Sequence, residues 1–149
     1  MTVSRLGGIC YTFIPIFALA AGVAPGPALA AEGVALTITL NAAAAIDAGE
    51  CRLSFVIRND LGTDIESLVA EAVLFDGVGR VATMTLFDFG TLPEGRPRVR
   101  QFDLAGRGCD GIGGVLVNGI GTCEGDGLTP AACLTGLRLS SETAIEVTG

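Results

Sequence analysis

Short runs in which apolar and polar residues alternate recur about every ten residues along this chain. In the first run, Val34, Leu36, Ile38 and Leu40 alternate with small or polar residues, which is the period of a half-buried β-strand. Gly, Pro, Asn and Asp separate the runs, and these residues favour turns. Regularly spaced short strands predict an all-β fold, an antiparallel β-sandwich of about seven strands, with a barrel as the alternative. The predicted strands are residues 34–40, 51–58, 67–75, 80–89, 98–104, 114–118 and 137–147.

Two stretches lack this alternation. Residues 41–46 contain four consecutive alanines, which is compatible with one helical turn, although Gly49 follows too soon for a long helix. Residues 119–136 are rich in glycine and contain two cysteines. We predict that they form a long loop closed by its own disulfide.

The first thirty residues have the layout of a secretory signal peptide. A single positive residue, Arg5, precedes an apolar run that ends at Pro25-Gly26-Pro27, and Ala28-Leu29-Ala30 follows as an A-x-A cleavage site. The alternative is a transmembrane anchor, but the run is shorter than a span needs and ends in helix breakers. We therefore predict that residues 1–30 are a cleaved signal peptide, that residues 31–149 form one domain, and that no membrane anchor remains after cleavage.

The composition excludes several kinds of chemistry. The chain has no His. All nine of its basic residues are Arg, so it has no Lys. Nucleophiles activated by His, His metal ligands and Schiff-base lysines are therefore ruled out. After residue 30 the chain has eight arginines and sixteen acidic residues, a net charge of −8. This charge argues against nucleic acid and anionic membranes as partners.

Four cysteines remain after the predicted cleavage, an even number that favours two disulfides in a small exported chain. Zinc is the competing interpretation, but there is no CxxC pair and no His. Cys51 begins the second predicted strand and Cys109 follows the fifth, so the two meet if these strands are antiparallel neighbours. We predict the pairs Cys51 with Cys109 and Cys123 with Cys133.

The central part of the chain, residues 53–104, contains several short motifs in order. They are Phe55-Val56-Ile57-Arg58-Asn59, Val73-Leu74-Phe75-Asp76 with Gly79-Arg80-Val81, Leu92-Pro93-Glu94-Gly95, and Phe102. In these motifs the chain resembles small immunoglobulin-like domains of bacterial exported proteins, the FxLYD type. The resemblance implies an immunoglobulin-like sandwich that serves as an extracytoplasmic binding or structural module. The whole chain also resembles small exported alphaproteobacterial proteins that carry only a twin-arginine signal label, which implies a compartment and no activity.

Three alternating arginines are the best candidate for a partner site. On a strand, Arg96, Arg98 and Arg100 project from one face, and three guanidinium groups can bind a carboxylate or a phosphate. The alternative is a solvated strand edge that Pro97 blunts and neighbouring acids neutralise.

Acidic residues suggest two further possibilities. Glu124 and Asp126, with Asp110, offer oxygen ligands for Ca²⁺, although their spacing does not match a calcium-loop motif. A carboxylate-dependent hydrolase needs two acids across a cleft, and the sequence singles out no such pair.

We therefore expect a periplasmic or secreted protein that acts as a non-catalytic binding or structural module of the bacterial envelope. We expect a protein partner there, no metal and no cofactor. The alternatives are a small carboxylate-dependent hydrolase and a calcium-stabilised extracellular module.

Overall fold

Eight strands and one short helix make up the described part of the chain. The computed structural model describes residue 2 and residues 35–46 and 49–149. The predicted signal peptide and its cleavage site therefore lie outside the described residues, apart from Thr2. In chain order the elements are β1 (Ala35–Ile46), β2 (Glu50–Asp60), β3 (Ile65–Phe75), β4 (Val81–Leu92), β5 (Arg98–Leu104), β6 (Gly114–Glu124), α1 (Pro130–Thr135), β7 (Leu137–Ser141) and β8 (Glu146–Thr148).

The strands form two four-stranded sheets. Sheet A has the order β5-β2-β1-β7, and sheet B has the order β4-β3-β6-β8. Neighbouring strands are antiparallel, except that β7 runs parallel to β1 and β8 runs parallel to β6. This arrangement confirms the predicted disulfide-stapled, immunoglobulin-like β-sandwich. The strand count is eight because the predicted tail strand, residues 137–147, divides between the two sheets.

The alanine-rich segment continues a strand. Residues Ala42 to Ile46 belong to β1 and pair with the first residues of β2, after a shift in register next to Leu40. The suggestion of a helical turn here was wrong. A short run of alanines does not repay the cost of nucleating a helix, whereas pairing with β2 gives each residue backbone hydrogen bonds.

The prediction of a loop over residues 119–136 was also wrong for most of that segment. Strand β6 extends to Glu124, and its pairing with β3 accommodates the glycines through two register shifts. Helix α1 then begins after Thr129, whose side chain accepts a hydrogen bond from the Ala132 backbone, with Pro130 in the first turn. Glycine in a strand interior weakens the alternation that marks a strand. That is why the sequence pattern concealed this half of β6.

The core lies between the sheets and contains one aromatic cluster. Phe55 of β2, Phe87 and Phe89 of β4, and Phe102 of β5 have ring centroids 4.6 to 6.3 Å apart. Phe87 and Phe89 are buried, as their spacing on one strand face predicts. The cluster joins the two sheets on the side where the edge strands β4 and β5 face each other.

Both predicted disulfides are present. Cys51 is the second residue of β2 and lies opposite Leu104 of β5. It is bonded to Cys109 in the 3₁₀ turn that follows β5. Cys123 near the end of β6 is bonded to Cys133 of α1. The second disulfide therefore attaches the helix to sheet B instead of closing a loop on itself.

One buried asparagine holds the opposite end of the sandwich. The side-chain amide of Asn59 donates to the carbonyls of Thr63 and Leu92 at 2.8 and 2.9 Å, and its side-chain oxygen accepts from the Leu61 backbone. Its own carbonyl accepts from Gly95 at 2.7 Å. Asn59 thus fixes the connection between β2 and β3 to the connection between β4 and β5.

Candidate functional site

Of the three predicted partner-binding arginines, Arg100 has a structural role. It lies in β5 on the same side as Phe102, towards the interior of the sandwich. Its guanidinium donates to the carbonyls of Phe89 at 2.8 Å and Thr91 at 3.2 Å, both on β4. Arg100 therefore joins the edge of sheet A to the edge of sheet B.

The other two arginines lie at the beginning of β5. Arg98 is half-buried and its guanidinium donates to the adjacent Pro97 carbonyl at 3.3 Å. Arg96 precedes the strand and is exposed, and its side chain has no hydrogen-bond or ion-pair partner among the described residues. The predicted stripe of three equivalent arginines is thus reduced to Arg96 and Arg98.

The outer face of β5 carries a charge pair with β2. The Arg52 guanidinium donates to both carboxylate oxygens of Asp103, at 2.6 and 2.8 Å. These hydrogen bonds hold the pKa of Asp103 below its usual value, and the nearby charge of Arg52 acts in the same direction. This bidentate pair covers the outward side of sheet A next to its edge.

The acids considered as calcium ligands do not come together. Asp110 lies in the 3₁₀ turn before β6, whereas Glu124 is the last residue of β6, so a strand about 35 Å long separates them. Asp126 is exposed in the turn after Glu124. Over residues 35–46 and 49–149, no three His, Cys, Asp or Glu side chains form a group able to hold a metal ion.

Strand β4 is the longest of the four strands at sheet edges. It has twelve residues, while β5, β7 and β8 have seven, five and three. Proteins usually protect such edges with short strands, proline or inward-pointing charges. Strand β5 has two of these features, Pro97 before it and the inward Arg100. Strand β4 has neither a proline nor a basic residue.

The edge of β4 is covered only near its ends. Arg100 binds the carbonyls of Phe89 and Thr91, and Arg107 donates to the Ala82 carbonyl at 3.5 Å. Between these contacts, no side chain from another described strand hydrogen-bonds to the β4 backbone. We call residues 83–88 the free segment. Alongside it, a cleft of about 240 Å³ separates β4 from β5 and is lined by Thr83, Thr85, Asp103 and Ala105 among others.

The outer face of β4 is apolar in its middle part, and the exposed Asp88 is the next residue on that face. Met84 is 65% exposed and Leu86 is 63% exposed, while the alternate residues Phe87 and Phe89 are buried. Met84 lies opposite Val73 of β3, which in turn lies opposite Leu116 of β6. An apolar row therefore crosses three strands on the outside of sheet B and ends at the exposed Met84, beside Leu86 on the same edge strand.

A carboxylate lies next to this row. Glu71 of β3 is opposite Leu86 on one side and Gly119 on the other. Its carboxylate lies over the backbone of β6, because a β carbon on Gly121 would be only 3.6 Å from Oε1. No described residue forms an ion pair with Glu71. A concavity of about 320 Å³, lined by Glu71, Met84, Thr85 and Leu86, opens here, and we call it the Met84–Leu86 notch.

Sequence reasoning missed this surface. The signal was present, because Met84 and Leu86 alternate with Phe87 and Phe89 so that both faces of one strand are apolar. Such a strand is typical of a sheet that is covered on both faces, whereas each strand of a two-sheet sandwich has one outward face. Only the strand order reveals that β4 is an edge and that one of its two apolar faces is exposed.

No helix in the described part of the chain is both long and apolar enough to cross a membrane.

Comparison with known proteins supports the fold. No protein-family model and no curated protein matches the chain. The resemblances to FxLYD-type domains and to twin-arginine-labelled exported proteins therefore gain no support from these comparisons. A solved structure titled structural characterization of IrmA from Escherichia coli matches with a TM-score of 0.54 and 11% identity, covering 70% of this chain and 90% of that one. At this identity the likeness shows a shared β-rich fold.

Proposed function

We propose that this chain is an exported, non-catalytic binding module of the bacterial envelope, and that a protein partner docks on β4. The observation that carries the proposal is the exposure of Met84 and Leu86 on a twelve-residue edge strand. Exposed apolar side chains on a long edge strand are a site for association with another chain.

Two other features support this role. Both disulfides are of the kind that persists in oxidising compartments, in agreement with export through a cleaved segment, residues 1–30, to the periplasm or the medium. The cross-sheet contacts of Arg100 and the phenylalanine cluster hold β4 to sheet A. A rigid edge loses little conformational entropy when a partner binds.

The test is a set of pull-downs from envelope extract. The full chain is expressed so that the host exports it, and the purified protein is compared with the double variant Met84→Ser/Leu86→Ser. The matched control is Val78→Ser/Val99→Ser, because these two valines are also exposed, at 72% and 57%, and lie away from the outer face of β4. A further bait, Arg96→Ser/Arg98→Ser, tests the arginines at the beginning of β5.

We expect a discrete protein that binds the native chain, the valine control and the arginine variant. It should not bind the Met84→Ser/Leu86→Ser variant. A partner lost only from the arginine variant would move the site to β5 and overturn the β4 assignment. A protein captured equally by all four baits, or by none, would contradict a binding function at this surface.

A further inference from the structure

We infer that the partner binds as an extended strand added to β4, with an arginine or lysine side chain inserted into the Met84–Leu86 notch to meet Glu71. This inference rests on the proposed function and specifies the chemistry of the partner. It follows from the free backbone of β4, the shape of the notch and the distribution of charge.

The backbone of the free segment favours a partner in an extended conformation. Residues 83–88 are paired with β3 on one side, and on the other side no side chain from another described strand binds their peptide groups. Peptide groups at a sheet edge can pair with an additional strand, and this pairing gives affinity for an extended segment. Six residues of strand are about 20 Å long, so the segment between the contacts of Arg107 and Arg100 accommodates a partner strand of similar length.

The shape and charge of the notch determine which type of partner side chain can enter it. A strand added beside β4 lies two strand spacings, about 10 Å, from β3, which carries Glu71. A long side chain from the added strand passes between Met84 and Leu86 towards the Glu71 carboxylate. Arginine and lysine suit this path, because their aliphatic stems pack against apolar groups while the charged end stays polar. A guanidinium can also form two hydrogen bonds to the carboxylate.

The charge distribution argues against a second copy of this chain in the notch. Strand β4 has no basic residue, so two β4 strands paired together would place no cation near either Glu71. Each copy also has a net charge of −7 over the full sequence. Like charges at an interface oppose association. A different protein with a cationic, extended segment is complementary to this edge.

A selection experiment tests the inference. The exported protein is used to select from a phage library of random nine-residue linear peptides, and binders to the Met84→Ser/Leu86→Ser variant are removed. The selection is repeated with Glu71→Arg and with Glu142→Arg, a matched charge reversal on an exposed glutamate outside sheet B. The most enriched peptide is synthesised for affinity and hydrogen-exchange measurements.

We expect peptides with alternating apolar residues and a basic residue at a constant position. The best peptide should bind Glu71→Arg at least about tenfold more weakly than the native protein, and bind Glu142→Arg normally. Selection on Glu71→Arg should instead enrich acidic residues. Amide exchange should slow within residues 83–88 when the peptide binds.

Three results would overturn the inference. These are enriched peptides without a basic residue, equal affinity for the native protein and Glu71→Arg, or unchanged exchange at residues 83–88. Failure to enrich any peptide would also overturn it. In each case the pull-downs decide separately whether Met84 and Leu86 bind a protein at all, so the proposed function can survive when this inference fails.

Discussion

Asn59 is the single fully buried polar side chain among the described residues, and each of its polar side-chain atoms is hydrogen-bonded. Its burial is tolerated because the amide has the donors and the acceptor that the two adjacent connections require. Asn59 follows the predicted strand 51–58, and asparagine at such a position is typical of a turn. In the structure it instead lies at the end of β2 and holds two connections together.

Replacing Asn59 with Ala should be strongly destabilising. The substitution leaves the carbonyls of Thr63 and Leu92 without their donor, and each unsatisfied buried group costs about 1 to 3 kcal/mol. We expect the free energy of unfolding in urea to fall by about 3 kcal/mol. The control is Asn118→Ala, an exposed residue of β6, with an expected change within about 0.5 kcal/mol. Equal effects of the two substitutions would contradict the role given to Asn59.

Arg100 should contribute to stability, whereas Arg96 should not. Arg100→Ala removes two hydrogen bonds to β4 carbonyls. Because Arg100 is partly exposed, we expect the free energy of unfolding to fall by only about 1 kcal/mol. Thermal unfolding should therefore show a Tm lower by a few degrees. Arg96→Ala should leave the Tm unchanged, because the Arg96 side chain is exposed and has no partner among the described residues. A larger effect at Arg96 would show that the cross-sheet contact is not the stabilising one.

The pair of Arg52 and Asp103 predicts a small pH dependence. The pKa of Asp103 is lower in the folded protein than in the unfolded chain, because Arg52 hydrogen-bonds to its carboxylate. The pair therefore stabilises the fold above the unfolded pKa of about 3.9, and this contribution is lost as the pH falls through the lower folded pKa. An NMR titration of the carboxyl carbons should show Asp103 titrating below its usual range and moving upward in Arg52→Gln. No movement in that variant would contradict the assignment.

At the scale of elements, the two disulfides should differ in what they stabilise. The bond between Cys51 and Cys109 spans 58 residues, and the bond between Cys123 and Cys133 spans 10. By restricting the unfolded chain, the first disulfide should add about 4 kcal/mol to the free energy of unfolding and the second about 3 kcal/mol. Urea unfolding should accordingly show the double variant Cys51→Ala/Cys109→Ala to be less stable than Cys123→Ala/Cys133→Ala. The opposite order would mean that the attachment of α1 to β6 matters more than closure of the longer loop.

Local patterns predicted those elements whose two faces differ in polarity. Strand β5 was predicted with its observed limits, and β2 within two residues of them. The prediction failed where side chains are small or absent, at the alanines of β1 and the glycines of β6, because backbone pairing alone holds these segments in a strand. The sequence also did not indicate where Arg100, Met84 and Glu71 lie, since their positions depend on the order of strands in each sheet. Strand order follows from long-range packing and leaves no local signal.

At the scale of the whole sandwich, the β4 side differs from the other sides in exposed apolar surface and in edge length. The β4 side of the sandwich combines the longest edge strand, two exposed apolar side chains and a carboxylate without an ion-pair partner among the described residues. The phenylalanine cluster and Arg100 support this side from within. The core thus holds rigid the surface that we assign to partner binding.

Site-specific photo-crosslinking in living cells tests this assignment most directly. A photoreactive amino acid replaces Leu86 in one version of the full chain and Val78 in another, since both side chains are exposed but only Leu86 lines the notch. After illumination, we predict a discrete adduct with an envelope protein from position 86 and none from position 78. The same adducts from both positions, or none from position 86, would contradict the claim that β4 is the binding surface.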